Sequence, residues 1–128
     1  MSNLLKIFND HLVEFFDDLA IVFNGDIDLL TARNFIINYR KINPKSIIVA
    51  WKWYVSDRYR EEILGGKLHY FLNKDYKEDI VDASFNNIEE MLSIVEKIRS
   101  YVKLLKDNEQ MKALKYLQNL IKLSDMYK

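Results

Sequence analysis

A chain of 128 residues is the usual size of one domain, long enough to bury roughly two-thirds of its unfolded surface in one core without covalent staples. Its composition is globular, 49% apolar and 30% charged, and one proline with three glycines leaves little material for hairpins or flexible linkers, which favours helices. The absence of cysteine excludes disulfides, thiolate zinc sites and a cysteine nucleophile, and the balance of nineteen basic against nineteen acidic residues removes any general attraction to nucleic acid or anionic lipid.

The N-terminus "MSNLLKIFNDHL" lacks a basic region followed by a long apolar run, and no Asn-x-Ser/Thr sequon occurs, so the expected setting is intracellular. The longest apolar runs, "LAIVF" and "IIVAW", are too short to span a bilayer, and no membrane insertion is expected. From Asn3 to Phe23, apolar residues fall at Leu5, Phe8, Leu12, Phe15, Leu19 and Val22, one stripe of a core-facing helix. Leu4, Phe16, Ile21 and Phe23 widen it, and Asp10, Glu14, Asp17 and Asp18 take the remaining surface. "NGD" at 24–26 reads as a left-handed helix stop rather than a hairpin, because the flanking period is helical. Asp26 or Asp28 caps a second helix carrying Leu29, Leu30, Ala32, Phe35, Ile36 and Tyr39. Asn43-Pro44 then begins a third, with Pro44 at the first helical position, and Gly65-Gly66 ends it.

The segment "KLHYFLNKDYKEDIVDA" reads as irregular with a helical turn. Asp82 or Ser84 caps a long helix with Ile88, Met91, Val95, Ile98, Val102 and Leu105 in heptad spacing, a seam that also suits self-association. Asp107 with Gln110 has the spacing of a capping box for a last helix with Leu114, Leu117 and Ile121. The expectation is an all-α chain of about five helices in a single domain, 1–82 a compact bundle and 83–128 an αα-hairpin that packs on it or extends away.

Chemistry is sparse. His11 and His69 belong to no ligand pair, and His11 borders the first apolar stripe. Asp75, Glu78, Asp79 and Asp82 align on one helical face but lack the alternating ligands of a calcium loop. No serine lies in a Gly-x-Ser-x-Gly elbow, and Gly65-Gly66 is not a phosphate loop, so neither an enzyme nor a bound cofactor is expected.

"IIVAWKWYVSDRYREEI" carries both tryptophans. At helical spacing Ile48, Trp51, Val55, Tyr59 and Ile63 form one stripe, and Trp53 lies about 160° away, near Val49, Asp57 and Arg60. Trp51 belongs to the core; Trp53 is either covered by its own chain or an anchor for a partner. Nucleic acid is not the expected partner, because Asp57, Glu61 and Glu62 dilute the basic track and Lys97, Arg99, Lys103, Lys106, Lys112, Lys115 and Lys122 read as a solvated edge.

The succession Phe8-Asn9, Asp17-Asp18, Val22-Phe23, Asn43-Pro44, Tyr54-Val55 and Phe71-Leu72 through Asp75-Tyr76 resembles small uncharacterised helical proteins of nucleocytoplasmic large DNA viruses, over roughly residues 5–82. Where that pattern has a proline after Val-Phe, this chain has Asn24-Gly25. The resemblance implies a viral origin and no particular chemistry. With the absence of catalytic motifs, it leads to a non-enzymatic minor virion or capsid-associated protein, found in virions and in the host cytoplasm during assembly, that contacts other viral proteins, capsid proteins among them. The expected contact residues are Trp53, Arg60, Tyr70, Phe71 and Tyr76. The alternative is a small intracellular regulator binding nucleic acid or a viral transcription factor.

Overall fold

The computed structural model describes residues 3–73 and 88–127. The expected 3-4-3-4 stripe makes Asn3–Val22 a helix, α1, which buries Phe8, Leu12, Phe15, Phe16 and Leu19. Its last stripe position, Val22, stays partly exposed, and so does Ile21. The chain turns where the sequence says it must. Asn24 (φ 55°) and Gly25 (φ 75°) adopt left-handed backbone, and the Gly25 N–H donates to the Ala20 carbonyl at 2.7 Å, a Schellman stop. Asp26 follows as N-cap of α2 (Ile27–Ile42), its Oδ1 accepting from the Asp28 and Leu29 N–H groups at 2.9 and 3.3 Å. The Tyr101 hydroxyl donates to the same Oδ1 at 2.7 Å, and that bond pushes the phenol pKa up to about 12.

Asn43-Pro44 does open α3 (Pro44–Trp51), though the Asn43 side chain makes no capping bond. α3 runs without a break into a π-helical turn, Lys52–Ser56, and then α4 (Asp57–Leu64). The π turn answers a problem of register. From Ile48 to Ile63 an ideal α-helix turns about 60° past four full revolutions, so a 3-4-4-4 stripe would drift off the core. One widened turn absorbs that drift. Ile48, Trp51, Val55, Tyr59 and Ile63 are all buried, with Tyr54 and Ser56 beside them. A second Schellman stop at Gly66 (φ 82°) then ends α4.

α5 (Leu68–Leu72) is the short helical turn expected in the irregular segment. The acidic row Asp75, Glu78, Asp79 and Asp82 lies outside the described residues, as do the cap candidates Asp82 and Ser84. α6 (Ile88–Val102) packs on α3 and α5, while α7 (Asp107–Asp125) packs on α1, α3, the π turn and α4. The C-terminal pair therefore closes the bundle and does not extend from it. One apolar cluster draws on α1 through α7, with Phe8 set edge-on to Trp51 at 6.1 Å. Every described element is helical, as the periodicity predicts.

Three sequence expectations are corrected. The α6 seam proposed for self-association is turned into the protein's own core, where Met91, Val95, Ile98 and Val102 are buried. The cap of α7 is Lys106, whose N–H donates to Glu109 Oε1 at 3.3 Å, while Gln110 instead donates to the Val102 carbonyl at 3.0 Å. Arg99, read as part of a solvated edge, is 1% exposed. Its guanidinium lies 4.7 Å from the Phe71 ring centroid and 5.4 Å from that of Tyr59. Nε donates to the Phe71 carbonyl at 2.8 Å and Nη2 to the Tyr59 hydroxyl at 2.9 Å. A buried charge is costly unless hydrogen-bonded, and those bonds tie α4, α5 and α6 together.

Candidate functional site: an exposed aromatic and a cleft between the first and last helices

The structure separates the expected contact residues. Trp53 is 44% exposed on the outer side of the π turn, its ring 6.4 Å from that of Tyr54, with exposed Val49 and Asp57 on the same side. The opposite side of that turn is wholly core, so the Trp53 backbone is held by Trp51, Val55 and Ser56 beneath it. Arg60 is spent within the chain. Its Nε and Nη2 donate to Asp125 at 3.0 and 2.5 Å, and Nη2 also lies 3.4 Å from Asp57. Tyr70 is 53% exposed on α5, against His69.

Phe71 is a correction: it is fully buried, because its ring forms one wall of the Arg99 enclosure and meets Tyr59 edge-on at 5.4 Å. Tyr76 lies outside the described residues. The expected aromatic set thus leaves Trp53 and Tyr70 facing outward, on different helices.

The Arg60 contact belongs to a clamp that fastens the end of α7 to the π turn and α4. Lys52 Nζ donates to the Tyr127 carbonyl at 2.8 Å, and the buried Ser56 and Ser124 hydroxyls meet at 2.6 Å. Ser124 also reaches the Ile121 carbonyl at 2.8 Å, so its proton goes there and Ser56 supplies the donor between the two hydroxyls.

A feature that sequence reading missed lies at the other end of α7. A cleft of about 250 Å³ opens between α1 and α7, floored by Phe15, Leu19 and Ala113, edged by Ile21 and Val22, and closed at one end by Leu105. Tyr116 forms a wall, its ring stacked on Phe15 at 4.8 Å and tilted against His11 at 4.9 Å. Its hydroxyl reaches Asp18 Oδ2 and, at 3.2 Å, Glu14 Oε1; with a single proton it donates to one at a time. Burial first, and then the Asp18 carboxylate, push the Tyr116 phenol well above the usual tyrosine range. His11 Nε2 is buried with no hydrogen-bond partner among the described residues, and that burial lowers the imidazole pKa despite the opposing pull of Glu14.

A signal for this cleft was present. Asp10, Glu14 and Asp18 form a row of like charges four residues apart, and Ala113, rather than the expected Leu114, is the buried residue one turn before Leu117. A broader depression, about 640 Å³, lies between the α2 N-terminus and α6, lined in part by Phe23, Asp26, Tyr101 and Leu104.

Among the described residues no group of three or more His, Asp or Glu side chains could hold a metal ion, and no described helix is long and apolar enough to cross a membrane. Compared with known proteins, the chain matches no family model, no curated protein and no solved structure.

Proposed function

We propose that the protein is a non-enzymatic contact protein, a minor virion or capsid-associated component of a large DNA virus that acts through its helical surfaces. The observation that carries the contact role is Trp53. A large aromatic, 44% exposed, stands on a helical rod whose other side is buried in the core, so the ring is presented without a loop's freedom. An anchor held in that way loses little conformational entropy when a partner covers it, and tryptophan is among the residues that dominate such contacts. The viral setting is supported by the resemblance over residues 5–82.

Mass spectrometry of purified particles should find the protein at a fixed ratio to the capsid proteins, and crosslinking should identify its neighbour. Trp53→Ala should cut its incorporation while leaving the melting temperature nearly unchanged. Absence from particles, together with DNA binding that weakens steeply with salt, would favour the regulator instead.

A further inference from the structure

The geometry points to the cleft between α1 and α7 as a second contact site, taking one apolar side chain of a partner protein that carries a lysine or arginine beside it. Its size decides the occupant first. An apolar cavity of about 150 Å³ accepts a benzene-sized group, and sites that enclose whole small molecules begin near 300 Å³. At about 250 Å³ the cleft fits one side chain. Ala113 is the smallest side chain of the lining, and with Phe15 and Leu19 it forms the buried part of the cleft.

The rim then decides between a free molecule and a chain. Ile21 is 76% exposed and Val22 41% exposed at the mouth. A ring-sized free molecule would leave both in water, whereas a polypeptide crossing the mouth would cover them.

Charge decides what sits beside the anchor. On α1, Asp10 is paired with Lys6 and Arg40, and Asp17 with Arg33. Glu14 and Asp18 share the Tyr116 hydroxyl, and among the described residues neither forms an ion pair with a lysine or arginine. Glu109 lines the cleft from α7, and Lys112, also in the lining, forms no ion pair among the described residues. The lining thus holds two carboxylates, Asp18 and Glu109, against one ammonium group, with Glu14 beside it on the Tyr116 hydroxyl, and that balance favours an incoming base.

This site rests on the reading of the protein as a contact module but not on Trp53, so the two fail separately. The test is titration of the ¹⁵N-labelled full chain with three probes: acetyl-Leu-Phe-Lys-amide, its glutamate counterpart acetyl-Leu-Phe-Glu-amide, and free phenethylamine. The lysine peptide should shift the amide signals of Phe15, Val22 and Ala113 and bind roughly five-fold more tightly than the glutamate peptide, the scale of one exposed ion pair. Ala113→Leu should abolish binding by filling the cleft. Because that variant could overpack the core, Val22→Lys at the exposed rim provides a second check, weakening the lysine peptide without lowering the melting temperature. Trp53→Ala should leave peptide binding unchanged. The proposal is overturned if the lysine peptide shifts none of these signals, if both peptides bind alike, or if phenethylamine binds as tightly as the peptide.

Discussion

The two halves of α7 meet the rest of the molecule in opposite ways. Toward its C-terminus, Leu117, Leu120 and Ile121 are completely buried, and the helix end is tied down through Ser56–Ser124, Lys52 with the Tyr127 carbonyl, and Arg60–Asp125. Toward its N-terminus the inward residue shrinks to Ala113, the neighbouring polar groups are two carboxylates competing for one phenol proton, and a cleft remains. The same amphipathic stripe thus produces a sealed joint or an open one according to side-chain volume and to whether each polar group finds a complementary partner. The open joint leaves Ile21 and Val22 exposed at its mouth, while its floor of Phe15, Leu19 and Ala113 is buried.

The sharpest way to break the sealed half is Leu120→Ala, which should cost about 2–5 kcal/mol in urea unfolding, the range for deleting a fully buried leucine. A loss below about 1 kcal/mol would show that this half is no better packed than the cleft.

Ser56→Ala should cost about 0.5–1.5 kcal/mol, the net worth of one hydrogen bond, because the Ser124 hydroxyl keeps its bond to the Ile121 carbonyl. The double variant with Ser124→Ala should recover part of that loss, and a double-mutant cycle measures the coupling.

The open half should respond to pH. The His11 pKa is lowered on folding, so the unfolded chain binds the proton more readily and stability falls as pH drops below the ordinary histidine value of about 6.5. His11→Gln should flatten that part of the melting-temperature profile; an unchanged slope would place the titration elsewhere.

The smallest effect is expected from Asp125→Ala. It removes an ion pair that is about one-third exposed on both sides, worth about 0.2–1 kcal/mol and weakened by salt. A larger loss that shrinks as salt is added would mean that the clamp is driven by charge and not by the packing beneath it.

Much of the framework was legible because it depends on nearest neighbours along the chain. Asn24-Gly25 and Gly65-Gly66 stop helices through their own backbone freedom, Asp26 caps through its own carboxylate, and the stripe from Ile48 to Ile63 followed from spacing. The place of Trp51 in the core was legible for the same reason, whereas spacing left the exposure of Trp53 open. Phe71 and Arg99 were misread because an aromatic near a charged segment, or a base on a lysine-rich helix, has the same local pattern on a surface as in a core. Only the meeting of α4, α5 and α6 turns them inward, where each makes the other's burial tolerable.

The sequence by itself determined an all-helical chain, its main turns, and which face of each helix is apolar, because helical periodicity and capping act within a few residues. Tertiary structure decided everything that depends on which faces meet. It inserted a π turn to hold a drifting stripe on the core, spent Arg60 on Asp125, and enclosed the heptad seam of α6 within the chain. It also left a cleft where Ala113 crosses α1, since volume mismatch and unpaired charge are properties of two surfaces together and cannot be read from either alone.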